Sequence, residues 1–134
     1  MSNSSIQSDL AVLRDEKESF FRRADAIRRL ARQDDEESRQ AVLGALRDKE
    51  AYVRRSAAEG LAQWARPEHL PAVLGAFAED TDDQVRRALL KILGGFADPR
   101  ALDVVREVAD SGSYSLRYDA QSAVERIRRR MAES

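Results

Sequence analysis

The chain has no cysteine and a single histidine, His69, among its 134 residues. Without thiols it can have no disulfide, no thiolate metal site and no cysteine nucleophile. One histidine, set between Glu68 and Leu70, cannot build an imidazole metal centre, and it is expected to be an ordinary surface residue. No stretch approaches the ~18 apolar residues of a membrane-spanning helix. Met1-Ser2-Asn3-Ser4-Ser5 offers neither a basic start nor an apolar run behind it, so no signal peptide is expected and a cytoplasmic location is. An excess of one charge sign is missing as well, with 23 Lys and Arg against 24 Asp and Glu. Residues 1–67 hold 13 basic and 12 acidic groups, and residues 68–134 hold 10 and 12. That balance argues against nucleic acid as a partner and leaves no charged tail. There is no Gly-rich phosphate loop and no Gly-x-Ser-x-Gly elbow, so no catalytic residue, cofactor or metal is assigned. Asp80-Thr81-Asp82-Asp83 has the outline of a calcium loop. It lacks the loop glycine, and Lys91 stands where a bidentate glutamate is needed, so helix capping explains it better.

What the chain does have is repetition. Phe21-Arg22-Arg23, Val53-Arg54-Arg55, Val85-Arg86-Arg87 and Leu116-Arg117-Tyr118 recur at steps of 32, 32 and 31. Between them run Ala41-Val42-Leu43-Gly44-Ala45-Leu46, Ala72-Val73-Leu74-Gly75-Ala76-Phe77 and Asp103-Val104-Val105-Arg106-Glu107-Val108, at steps of 31. A period of this length marks stacked helical units, each unable to bury its apolar face alone.

Two helices fit each period. The first, the A helix, carries Val53, Ala57, Leu61 and Trp64, then Val85, Leu89, Leu93 and Phe96, then Leu116, Ala120, Val124 and Ile127. These sit at helical spacing and predict one buried stripe copied three times. The second, the B helix, turns Leu70, Val73, Leu74 and Phe77 inward, with Arg39, Val42, Leu43 and Leu46 before and Ala101, Val104, Val105 and Val108 after. Acid clusters at Asp34-Asp35-Glu36-Glu37 and at Asp80, Asp82 and Asp83 stand where helix N-termini need caps and favour negative charge. The expected organisation is one all-α domain over 1–134. It has a disordered start at 1–5, repeats at roughly 6–32, 36–64, 67–96 and 99–130, and a leading B helix and a closing A helix.

The face of the B helices opposite the inward stripe is made of small residues: Ala41, Gly44 and Ala45, then Ala72, Gly75 and Ala76. The third copy has Asp103, Arg106 and Glu107 there, with Leu102 beside them. Glycine inside a helix costs about 1 kcal/mol relative to alanine. Two at equivalent positions suggest a surface that a partner approaches closely, with Arg106 and Glu107 giving register at its end.

Asp, a short gap, Val-Arg, then apolar residues at helical spacing, a Pro turn and a second apolar helix resemble HEAT repeats. The short period resembles the phycobilin-lyase-type subgroup, over roughly residues 10–130. The resemblance implies a right-handed α-α superhelix, a HEAT-like solenoid of about four helix pairs, with the B helices on its concave side. It also implies Asp-to-Arg pairs across the turns, matching Asp48 with Arg54, Asp80 with Arg86 and Asp110 with Arg117. Its members include lyases, hydroxylases, DNA glycosylases and scaffolds. A metal site of the deoxyhypusine-hydroxylase kind needs several His-Glu pairs, which a chain with one histidine does not supply. The expectation is a non-enzymatic module that binds another protein, as a helix or extended segment, or a second copy of itself. A phycobilin-lyase-like accessory role on a tetrapyrrole-bearing partner is the alternative. DNA binding, as in HEAT-like glycosylases that use concave basic and aromatic residues, is the third reading, disfavoured because the concave positions here carry few of either.

Overall fold

The computed structural model describes residues 2–133. Among the described residues eight α-helices follow one another: α1 (Asn3–Arg14), α2 (Phe20–Leu30), α3 (Glu36–Ala45), α4 (Ala51–Leu61), α5 (Leu70–Glu79), α6 (Asp83–Leu93), α7 (Pro99–Ser111) and α8 (Tyr114–Glu133). A 3-10 turn, Pro67–His69, leads into α5. There is no strand among the described residues. The chain divides into two compact units, Met1–Trp64 and Ala65–Ser134.

The helix starts obey local chemistry. Asp35 accepts the Ser38 N–H at 3.0 Å and Asp82 accepts those of Gln84 and Val85. The acid clusters therefore act as caps, satisfying N–H groups that the helix leaves free. Asp98 caps α7 through the Arg100 N–H at 2.8 Å, and Pro99 follows at the first helical position, where its missing N–H is harmless. Ser2 caps α1 by accepting from the Ser5 N–H. Helix thus begins at Asn3, inside the segment expected to be a disordered start; Met1 lies outside the described residues.

In the first unit α1 packs on α2 and α3, and α4 packs on α2 and α3. Leu10, Ala26, Ile27, Leu30, Val42, Val53, Ala57 and Leu61 are buried there. In the second unit α5 packs on α6 and α7, and α8 on α6 and α7. Its core holds Leu70, Val73, Val85, Leu89, Leu93, Val105, Leu116, Ala120 and Ile127. The predicted stripes therefore make up most of the core, while Arg39, Leu43, Leu74 and Val104 of the B stripes and Trp64 of the A stripe are only half-buried. Trp64 lies beyond the end of α4, half-buried, with the Arg39 guanidinium 5.7 Å from its ring centre.

The first repeat corrects the register of the sequence ladder. The A helices α2, α4, α6 and α8 begin at Phe20, Ala51, Asp83 and Tyr114, so the steps are 31, 32 and 31. Arg22, not Phe21, takes the slot of Val53. Phe21 is accordingly 59% exposed, while Val53, Val85 and Leu116 are buried. Arg23 becomes the equivalent of Arg54, Arg86 and Arg117.

Candidate partner-binding faces

Arg23 is only 5% exposed. Its Nε donates to the Leu13 carbonyl at 2.9 Å, tying α2 to the end of α1. Its two terminal nitrogens donate to the two Asp48 carboxylate oxygens at 2.5 and 3.1 Å. Asp48 Oδ2 also accepts the Glu50 N–H at 2.9 Å. Burial pushes the Asp48 carboxyl up, but the Arg23 and Glu50 hydrogen bonds and the charges of Arg23 and Lys49 outweigh it and hold it below 3.8. The same hydrogen bond to Asp48 raises Arg23 against the desolvation that burial brings.

The Asp-to-Arg ladder is thus wired differently from the pairing expected of it. The Asp48 side chain pairs with Arg23 of the preceding A helix, not with Arg54. Arg54 sits in the first turn of α4 and folds back to the carbonyls of Asp48 and Lys49, at 2.9 and 3.3 Å. Arg117 does the same to the Gly112 carbonyl at 2.9 Å, so Asp110 is not its partner. Arg86 lays its guanidinium 4.3 Å from the centre of the Phe77 ring, and Asp80 Oδ1 accepts the Asp82 N–H within its own turn. An arginine in a first helical turn reaches the carbonyls behind it more readily than a carboxylate that faces another helix. The outward members behave as expected at one place, where Arg55 pairs with Glu59 one turn on, at 2.8 Å.

The small-residue face divides between the two units. In the first, Gly44 is exposed and Ala41 half-buried, whereas Ala45 is buried at 6%. Gly44 lies in the last turn of α3 rather than mid-helix. A Cβ built on it meets nothing within 4 Å. Ala41, Gly44 and Ala45 form one wall of a groove of about 290 Å³, and Arg23, Asp48, Leu13, Arg14 and Glu16 close it. In the second unit Ala72 is exposed and Gly75 half-buried, while Ala76 is buried at 3%. Ala45 and Ala76 therefore belong to the core, because each lies three residues beyond a fully buried valine, Val42 or Val73, and three residues return to nearly the same helix face. Leu102 is half-buried, and Asp103, Arg106 and Glu107 are exposed on α7. Arg106 and Asp110 line a second groove of about 490 Å³ with Gln121, Glu125 and Arg128 of α8.

His69 is half-buried, and its Nδ1 accepts the Arg66 N–H at 3.0 Å. Among the described residues no group of three or more His, Cys, Asp or Glu could hold a metal ion. No helix among them is long and apolar enough to cross a membrane.

Exposed aromatics are the feature that the repeat pattern concealed. Phe20, Phe21, Tyr114 and Tyr118 are 40, 59, 90 and 79% exposed. Phe20 and Phe21 meet Tyr52 edge-on at 5.7 and 5.5 Å, and the Tyr52 hydroxyl accepts from Arg28 at 2.7 Å. A register keyed to helix starts exposes them; one keyed to the Arg-Arg doublets hides Phe21 in the core.

The family of HEAT repeats matches the chain twice, over residues 10–88 and over 41–125. The chain belongs to the HEAT-repeat family. A solved structure of human deoxyhypusine hydroxylase in complex with glycerol resembles this HEAT-repeat chain with a TM-score of 0.77 and 24% identity. The match covers 92% of the HEAT-repeat chain and 43% of the hydroxylase, so the chain spans less than half of that protein. At this identity the likeness establishes the fold, an all-helical HEAT-like solenoid. No curated protein sequence matches significantly.

Proposed function

We propose that this HEAT-repeat chain is a non-enzymatic protein-binding module, an adaptor or a small subunit of an assembly. Its partner presents a helix or extended segment to the B-helix face. The observation that carries this reading is Gly44. It is exposed, it lowers helix stability, and no neighbour requires the absence of its side chain. A glycine that packing does not demand is explained by something outside the chain that comes close. The groove beside it supports the same reading, because its lining includes the bidentate Arg23–Asp48 ion pair, which joins α2 to the turn before α4. The sequence contributes one histidine, too few for a histidine-based metal centre.

The test is a pair of substitutions read in two ways. Gly44→Ala keeps the fold and raises the melting temperature. Gly44→Arg also keeps the fold, since the space is open, but it removes the native host interactions captured by a photo-cross-linker at Ala41. If the cross-linked products of Gly44→Arg match those of the wild type, the groove is not the binding surface.

A further inference from the structure

Among the described residues the four exposed large apolar side chains all lie on the first and last A helices, α2 and α8. In a repeat array the outer faces of the terminal units normally turn polar. The two A-to-A junctions inside the units indicate what such faces meet. Where α6 packs on α8, Asp83 accepts from the Ser115 hydroxyl at 2.6 Å and Arg87 Nε donates to Asp119 at 2.8 Å. Further along, Gly94 lies against the Arg126 guanidinium, which a Cβ would approach to 2.5 Å. Where α2 packs on α4, the slot of Asp83 and Ser115 is filled by Phe20 and Tyr52, edge-on at 5.7 Å. The following slot holds Ala24 and Ser56, both buried.

Counting from the helix starts, the forward-facing positions 83, 87 and 94 become Tyr114, Tyr118 and Glu125 on α8. The backward-facing positions 115, 119 and 126 become Phe21 and Asp25 on α2 and Arg32 in the turn just after it. All six residues are exposed, although Phe21 also touches Tyr52 and Glu125 borders the groove between α7 and α8. They complement one another pair by pair. Tyr114 meets Phe21, ring against ring. The Tyr118 hydroxyl meets the Asp25 carboxylate, which pairs with Arg28 on its own helix. Glu125 meets Arg32, opposite charges that make no ion pair within the described chain.

We infer that these two faces are the halves of one head-to-tail interface, and that the occupant of each is a second copy of this chain. The α8 face of one copy packs on the α2 face of the next. The contact is heterologous, so it leaves a free face at each end and builds chains or a ring rather than a closed pair. It does not involve Gly44, so its failure would leave the groove proposal standing.

Sedimentation equilibrium of the full chain, with circular dichroism on every variant, tests this. The wild type is expected to rise with concentration above the 15.1 kDa of one chain. Glu125→Arg alone and Arg32→Glu alone are expected to stay at the mass of one chain, because each sets like charges across the junction. Mixing the two restores assembly, since both junctions regain opposite charges. The absence of cysteine allows a second readout that keeps all native charges. Under mild oxidation, Tyr114→Cys mixed with Phe21→Cys gives a cross-linked dimer, and neither variant alone does. A wild type that remains at one-chain mass up to millimolar concentration overturns the inference. So does a mixture that fails to reassemble, or a Tyr114→Cys variant that links to itself as readily as to Phe21→Cys, which would mean a symmetric contact. If a charge variant loses its helical signal, the cysteine pair decides the matter.

Discussion

Arg23 grips both carboxylate oxygens of Asp48 from a site 5% exposed, 25 residues earlier in the chain. The pair joins α2 to the turn before α4, and the Leu13 carbonyl brings α1 into the same cluster. Burying two charges is expensive, and their attraction offsets that cost only while both are present. Asp48→Ala is therefore expected to cost about 3–5 kcal/mol, since it strands a buried guanidinium. The double change Arg23→Met with Asp48→Leu removes both charges and should cost much less. Urea melts of the two variants decide; equal losses would mean that the ion pair is not what holds this corner.

Acid should expose the same pair. Asp48 has a folded-state pKa below its ordinary 3.8. A carboxylate depressed in this way contributes stability that is complete above the unfolded value and is lost as pH falls through the folded one. Asp35, held down chiefly by its hydrogen bond with Ser38, and Asp98, held down by Arg100, act in the same direction. Stability is expected to be flat from neutrality down to about pH 5 and to fall progressively below pH 4. Asp48→Asn should flatten part of that slope in a series of melts against pH.

Two glycines should respond to alanine with opposite signs. At Gly44 the added methyl has open space, so the gain in helix propensity is unopposed and amounts to at most about 1 kcal/mol. At Gly60 it would lie 2.7 Å from the Ala31 Cβ, where α2 and α4 meet. Neither atom can swing aside, and the substitution should cost about 1–3 kcal/mol through overpacking. Differential scanning calorimetry of the two variants separates a glycine kept for the interior from one that the interior does not need.

Leu89 is fully buried near the middle of α6. Leu89→Ala should cost about 2–5 kcal/mol, the transfer energy of the lost groups plus a cavity. His69→Ala should cost less, about 1 kcal/mol, because the hydrogen bond it accepts from the Arg66 N–H lies in a partly solvated turn. Denaturant melts would reveal a larger contribution of His69 as a loss closer to that of Leu89.

The sequence by itself determined the helices, their pairing into repeats and most of the core. Those properties follow from local periodicity: Val85, Leu89 and Leu93 return to one side of a helix wherever that helix lies, and Asp35 and Asp82 cap whatever begins after them. It also singled out Gly44, since an exposed helical glycine is visible from the position of its apolar neighbours. The tertiary structure alone decided which charged residue is buried and which aromatic is not. Arg22 and Arg23 are adjacent and chemically identical, and a one-residue difference in where α2 begins turns one to solvent and the other onto Asp48. The same shift exposes Phe21 and takes it out of the stripe that holds Val53. A helix rotates about 100° per residue, so a register error too small to disturb the repeat pattern is large enough to exchange the inside of the protein for its surface.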